Sequence, residues 1–332
     1  MNRLFPGIIP VKGYKHTAFY DLDRQKYIRL LNETFTLNNI NKTSLSYNVI
    51  ENIRHDSFLL LNQNDMLINN TDICNESRIE YIQNYEWDTP SLISNAIIEI
   101  SETNKLMSIE LFKRLIECLS FMIANHIHIN ISCDNICMKD LEKLFEVLNE
   151  SHIQTIQITL PYNEMLYSDE FGELIINNGK IIFAIVENSP INESYRNKLF
   201  FIQRKLKYTN NLCPENFRVN VFLYSESLKY NTYFNKKIYI DKFGNIKNSP
   251  ESIKSFGVFQ KIINFEDFYE KIKSDDFCEV WKSNKDSCET CKDCEYRYMC
   301  VDNRIPVKIG ENHWRYESDC NYNPYLGKWK SE

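Results

Sequence analysis

Nothing in this sequence is built to cross a bilayer or to grip a polyanion. No apolar run reaches the roughly 18–20 residues that a membrane span requires. The opening Met1-Asn2-Arg3-Leu4-Phe5-Pro6-Gly7 carries no long apolar stretch of the secretory kind. A cytoplasmic chain with no membrane partner is therefore expected. No basic tract stands out, and with a net charge of −6 and a pI near 5.7 nucleic acid is not an expected partner. Gly-rich phosphate loops, nucleophile elbows and metalloprotease helices are also missing, which removes the commonest catalytic signatures.

What is present begins with a capacity for real cores. Hydrophobic residues make up 43% and aromatic residues 13% of 332 positions, too many for a disordered chain. This length accommodates two or three domains.

Eleven cysteines are the most informative feature. In a reducing compartment, clustered cysteines read as metal ligands rather than disulfides. Cys278, Cys288, Cys291, Cys294, Cys300 and Cys320 crowd the last fifth of the chain. Cys74, Cys118, Cys133, Cys137 and Cys213 are scattered among apolar segments and read as packing residues. The pattern Cys288-x2-Cys291-x2-Cys294-x5-Cys300-x19-Cys320 brings thiolates to one centre, with charged neighbours such as Glu289, Lys292 and Asp293 that do not suit simple core packing. Soft thiolate sets suit an iron–sulfur cluster or zinc, and spacing alone does not separate the two.

Periodicity divides the rest. Ile8–Gly13 and His16–Asp21 read as two strands around a glycine turn, followed by Tyr27–Leu31, a helical segment over 44–54 and a short element from Ser57. From about residue 90 strands and helices alternate. Strands are expected at 94–100, 127–131, 153–160 and 181–186, and helices at 107–125, 138–151 and 163–177. Such alternation implies βα units and a parallel sheet. Leu199–Ile202 and Val219–Leu223 are further expected strands. Residues 237–246 read as a hairpin turning at Phe243-Gly244-Asn245, and 265–283 as helical.

The segment from Ile238 to Trp329 resembles a SPASM domain, the auxiliary-cluster module that follows the barrel of many radical S-adenosylmethionine enzymes. The resemblance implies one [4Fe–4S] cluster on Cys291, Cys294, Cys300 and Cys320, with zinc as the alternative metal and Cys288 as a spare or substitute ligand. The second cluster of that family has no ligands here: Ser249, Tyr233, Asn303 and Arg304 stand where its cysteines would fall.

A wider resemblance rests on Val11-Lys12-Gly13, Tyr20-Asp21-Leu22, Ser94–Ile98, Ile240–Pro250, Cys291–Cys300 and Cys320–Tyr325. These look like the SPASM maturase of grasp-with-spasm peptide systems. The implied partners are a precursor (leader) peptide and an ATP-grasp ligase. The implied architecture is α/β in three parts: a winged-helix-like, PqqD-like leader-recognition unit over 1–75, a degenerate partial (βα) barrel over 90–228, and a SPASM Fe–S domain over 229–332.

One departure concerns catalysis. The family's C-x3-C-x2-C after the first barrel strand is absent, since Ser101-Glu102-Thr103-Asn104-Lys105 follow Ile100. Cys133-x3-Cys137 after the second strand ends at Asp140 rather than a third cysteine. Radical chemistry on S-adenosylmethionine is not expected, and catalytic residues are not assigned.

Weaker signals each have two readings. His126-x-His128 puts two imidazoles on one strand face, as metal or acid/base groups or as a plain strand edge. His55-Asp56 is an acid/base pair or a solvated turn. Trp314, Tyr316, Tyr322, Tyr325 and Trp329 form a docking surface or a dry cover over a cluster. Arg297 and Arg304 either offset cluster charge or make surface ion pairs.

Overall fold

A computed structural model describes residues 2–5, 7–42, 45–68, 87–103, 106, 108–133, 136–206 and 212–330. The end of the expected leader-recognition unit, 69–75, and Cys74 lie outside these residues. The chain divides into two compact units. The first gathers Met1–Asp88, Asn210–Tyr233 and Val280–Glu332, and the second Thr89–Thr209 and Phe234–Glu279.

The first unit starts with two small antiparallel sheets. One is ordered β5-β6-β1-β7, from β1 (Asn2–Leu4), β5 (Thr36–Lys42), β6 (Leu45–Glu51) and β7 (Leu67–Ile68). The other is β2-β3-β4, from β2 (Ile8–Lys12), β3 (His16–Asp21) and β4 (Lys26–Leu31). Helix α1 (His55–Gln63) follows, and its Leu61 joins Leu4, Ile8, Phe19, Ile28, Leu30, Ile50 and Met66 in one core. The strands expected at 8–13, 16–21 and 27–31 are present. The helix expected over 44–54 is instead β6, whose Ile50 pairs with Asn2 and also with Leu37. Pairing on both sides outweighed the local helical spacing, as tertiary context commonly does. The unit thus has more sheet and less helix than a strands-then-helices pattern implies.

The second unit is the mixed α/β layer that the alternation predicts. Its main elements are β8 (Asn95–Ile100), α2 (Ile109–Phe121), β9 (His126–Ile131), α3 (Met138–Glu150), β10 (Thr155–Pro161), α4 (Asp169–Asn177) and β11 (Ile181–Glu187). A hairpin of β12 (Glu193–Tyr195) and β13 (Leu199–Phe201) closes one margin, and β14 (Lys237–Ile240) with β15 (Ile246–Lys247) the other. The sheet order is β12-β13-β11-β10-β9-β8-β14-β15, parallel within and antiparallel at both margins, and it does not close into a barrel. One face is apolar: Ala96, Ile98 and Ile100 of β8 and Ile127, Ile129 and Ile131 of β9 are buried, as are Phe112, Leu115 and Leu119 of α2. Two lysines finish the helices. Lys180 donates from Nζ to the carbonyls of Leu148, Asn149 and Ser151 at 2.9, 2.9 and 2.6 Å beyond α3. Lys198 does the same for Ile176 and Asn178 beyond α4, at 3.0 and 2.7 Å. Cations there satisfy carbonyls that a helix end leaves open.

The expected hairpin at 237–246 is present, but β14 also pairs in parallel with β8 and so belongs to the main sheet. The strand expected at 219–223 is replaced by α5 (Val221–Lys229) of the first unit. Asn220 starts that helix, its side-chain oxygen accepting the Leu223 N–H at 2.8 Å. The helical stretch expected over 265–283 resolves into α6 (Phe265–Lys273), α7 (Asp275–Cys278) and a 3₁₀ turn over Glu279–Lys282. Among the described residues no helix is long and apolar enough to cross a membrane.

The tail completes the first unit with two small hairpins, β16 (Pro306–Gly310) with β17 (His313–Tyr316) and β18 (Tyr322–Asn323) with β19 (Lys328–Trp329). It covers the second face of β3. Ala18 and Tyr20 lie in a core with Val11, Phe217, Tyr296, Met299, Tyr322 and Trp329, with Cys294, Cys300 and Cys320 packed against it.

Candidate metal centre

Short turns position the cysteines. The Lys292 N–H donates to the Cys288 carbonyl at 3.0 Å and the Cys294 N–H to the Cys291 carbonyl at 2.9 Å. A left-handed Thr290 (φ +64°) sets the bend before Cys291. Such turns let neighbouring sulfurs face one volume without regular secondary structure.

The four expected ligands are half-buried and electrostatically coupled. Burial pushes the thiol pKa of Cys291, Cys294 and Cys300 up. Cys294 is raised further by Glu295, Cys300 and Cys291, and Cys300 by Asp302, Cys291 and Cys320. Cys291 also feels Cys320. Two of the sulfurs accept backbone hydrogen bonds, Cys294 from the Tyr296 N–H and Cys320 from the Tyr322 N–H, both at 3.4 Å. Sulfurs that accept amide protons are set up as thiolates. Cys288 behaves differently. It is fully buried, its Sγ donates to the Ser283 carbonyl at 3.8 Å, and burial pushes its pKa up to about 12. Cys278 belongs to the other unit, donating to the Ile272 carbonyl at 3.3 Å.

Two buried cations flank the sulfurs, and one of them was not legible in the sequence. Lys285 pairs with Asp302 at 2.8 Å and donates to the Tyr316 hydroxyl at 2.7 Å. Arg304 grips Asp302 through Nε and NH2, at 3.0 and 2.6 Å, and donates to the Ser318 carbonyl at 2.6 Å. Burial alone would raise the Asp302 pKa, but Lys285 and Arg304 outweigh it and hold the carboxyl well below the usual range. Both cations also act on the Cys291 thiol, favouring its ionised form. Two cations against one carboxylate leave a net positive charge beside the cysteines, which suits an anionic thiolate centre. Arg304 is thus part of a buried network rather than a surface pair. Arg297 instead contacts Asp286 at 2.9 Å and the carbonyls of Lys12 and Cys294, both at 2.9 Å.

The aromatic tail and the N-terminal strands form the cover. Tyr322 lies 5.0 Å from Tyr296 and 5.0 Å from Trp329, centroid to centroid. The Tyr20 hydroxyl donates to the Glu295 carbonyl at 2.7 Å, and the Tyr14 N–H to the Asp293 carbonyl at 2.7 Å. Glu295 is fully buried between the Tyr322 hydroxyl, Arg29 and His16, the last two at 3.7 Å. Burial raises its pKa, opposed by the Tyr322 hydrogen bond and by Arg29. Gly13 passes so close that a Cβ there would sit 2.6 Å from the Glu295 nitrogen. Trp314 is buried, whereas Tyr325 stays partly exposed with its hydroxyl on Asp293 at 2.8 Å.

The donor set therefore fits a thiolate-bound group: four half-buried, electrostatically coupled cysteines, two amide donors to sulfur and compensating cations. Among the described residues, no group of three or more Cys, His, Asp or Glu side chains is arranged to hold a metal ion.

The second unit has a cavity of about 840 Å³ at the carboxyl ends of its parallel strands, with the polar side chains of Glu99, His128, Thr159, Glu187, Lys205 and Asp241 among its walls. Open parallel sheets commonly take ligands there. His128 bonds Thr159 at 2.9 Å, and burial lowers its pKa to about 4. His126 bonds Thr155 at 2.6 Å on the same face. Each imidazole thus has a threonine partner. The two cysteines near the strand ends have local roles. Buried Cys133 donates to the Ile100 carbonyl at 3.8 Å, and Cys137 caps α3 through Asp140 at 2.9 Å. Asn104 and Lys105 lie outside the described residues. His55 and Asp56 open the first turn of α1.

No family model matches the chain, and no curated protein matches it significantly.

Proposed function

We propose that this chain is a SPASM-type iron–sulfur protein acting in the maturation of a ribosomally synthesised peptide, binding the precursor and assisting an ATP-grasp ligase. Cys291, Cys294, Cys300 and Cys320 would hold one [4Fe–4S] cluster. The observation that supports this reading is the mutual electrostatic coupling of these half-buried cysteines, with amide protons aimed at two of the sulfurs. A zinc ion draws four sulfurs to about 2.3 Å from one point. A cubane spreads its four thiolates over four irons and needs a wider set. Cys288, whose Sγ lies 3.8 Å from the Ser283 carbonyl, would be a spare or substitute thiol beside that set.

The cluster would supply bracing or one-electron transfer, since four thiolates leave no iron open to substrate. The protein's own residues do the rest. Glu295, Tyr20 and Gly13 join the cysteine turns to the N-terminal strands. The edge strand β5 is the longest sheet edge among the described residues and suits a leader peptide adding as one more strand. The cavity in the second unit favours a second reading, a peptide-modifying enzyme. Conversion of the precursor by this protein alone would support it.

The deciding experiment is iron and sulfide analysis of protein purified without oxygen. About four irons and four sulfides per chain, with the brown colour lost in Cys291→Ala, is the expected result. One tightly held zinc and no colour would replace the cluster with a zinc-braced scaffold. Leader binding is checked on the full chain by hydrogen exchange, with slowed exchange across Thr36–Lys42 expected on adding precursor. The isolated N-terminus is unsuitable because Tyr20 needs the tail for its cover.

A further inference from the structure

In the second unit, α4 and the β12–β13 hairpin enclose a slot of about 380 Å³. Its walls are Tyr167, Tyr195 and Phe201, its floor is Gly172, and its rim carries Asp169 and Glu193. The hairpin register explains the grouping. Glu193 pairs with Phe201 and Tyr195 with Leu199, so all four side chains share one face of the sheet. Tyr167 stands edge-on to Phe201 at 5.4 Å, and its hydroxyl donates to Glu193 at 3.0 Å.

Large aromatic rings usually bury their faces, but Tyr167 and Tyr195 are 53% and 43% exposed. The carboxylates are equally unspent. Among the described residues neither Asp169 nor Glu193 has a cationic partner, and Glu193 bonds only the Tyr167 hydroxyl. Helix-end electrostatics account for an acid at Asp169, in the first turn of α4. They do not account for Glu193 on the facing strand. The turn of the hairpin already shows what these rings accept. Arg196, held at φ +49° with Asn197 at +52°, places its guanidinium 5.7 Å over Tyr195.

We propose that this slot binds the side-chain cation of an arginine or lysine in an extended polypeptide segment. The rings supply their negative faces and the two carboxylates supply charge. β12 is the outermost strand of the sheet among the described residues, so a segment pairing there would direct alternate side chains onto the slot's face. The inference is independent of the cluster and leader readings, since every residue in it belongs to the second unit.

The test is calorimetric titration of the full-length protein with a capped pentapeptide, Thr-Val-Arg-Val-Thr, and with its citrulline twin. The arginine peptide should bind saturably and more weakly as salt is raised, with the citrulline peptide at least about tenfold weaker. Glu193→Gln should cost about tenfold, and Gly172→Leu, which fills the floor, should abolish binding. Gly172 has room for the start of a side chain, with Tyr195 at 3.6 Å. Exposed Glu193 keeps the test decisive should the Gly172 variant not fold. Equal binding of the two peptides, no saturable binding, or binding indifferent to Glu193→Gln would overturn the proposal. Iron content is read alongside and should not change in either variant.

Discussion

The two units reach stability by different routes. The second is built from consecutive segments. Each strand of its inner sheet lies beside a near neighbour in sequence, each helix packs an apolar stripe, and lysines close helix ends. The first gathers three distant stretches of chain, has few long elements, and buries charge: Glu295, Lys285 and Asp302 are all under 5% exposed. Periodic apolar burial tolerates local change, because each contact is one of many. A core with buried ions and thiols depends on every partner being present, since an orphaned charge keeps its full desolvation cost.

The sharpest way to break this comparison is to remove a cysteine. Cys300→Ala should release the first unit and spare the second. Hydrogen exchange should accelerate across residues 1–88 and 280–330 while strands β8–β11 stay protected. Uniform loss of protection would mean that the units do not differ in this way.

Next in size is Asp302→Ala, which strands Lys285 and Arg304 together. A loss of about 3–5 kcal/mol is expected, read as a shift in denaturant midpoint of the first unit's transition. Little change would show that water or the tyrosine rings already compensate the two cations.

The second unit has its own pH signature. His128 titrates near 4 when folded because burial disfavours its cation, against 6.5 for an exposed imidazole. The unfolded chain therefore binds the proton first. The stabilisation is complete above pH 6.5, falls as pH drops toward 4, and is lost below that, amounting to up to about 3 kcal/mol. His128→Gln should flatten this slope in pH-dependent unfolding of the second unit. An unchanged slope would place the titration elsewhere.

The smallest expected effect sharpens the link within the first unit. Gly13→Ala forces a methyl against the Glu295 backbone and should cost about 1–3 kcal/mol, with faster exchange in β2 and β3. Gly179→Ala, in the second unit with nothing within 4 Å of a new Cβ, is the matched control and should stay within about 0.5 kcal/mol.

Much of the second unit was legible because its signals are local. The period-two strands 94–100 and 127–131 and the helical stripes of 107–125 and 138–151 each state their buried face within a few residues. Two misreadings arose from signals that apolar spacing does not carry. Residues 45–51 are a strand because β1 and β5 flank them, and 221–229 a helix because Asn220 caps it. Neither partner is visible from apolar spacing. The cysteine clustering was visible from spacing, but the buried network of Lys285, Asp302 and Glu295 was not, because isolated charges in sequence look like surface residues.

By itself the sequence determined a run of βα units, a cysteine pattern suited to thiolate ligation, and the absence of any segment long and apolar enough to span a membrane. Each of these follows from residue type and short-range spacing, which act before the chain has folded. Only the tertiary structure decided that β3 is buried on both faces, that β14 joins the main sheet, and that Glu295 is buried against Tyr20, Arg29 and Tyr322. Those outcomes depend on groups tens to hundreds of residues apart, and burial, hydrogen bonding and charge compensation between them exist only once the chain brings them together.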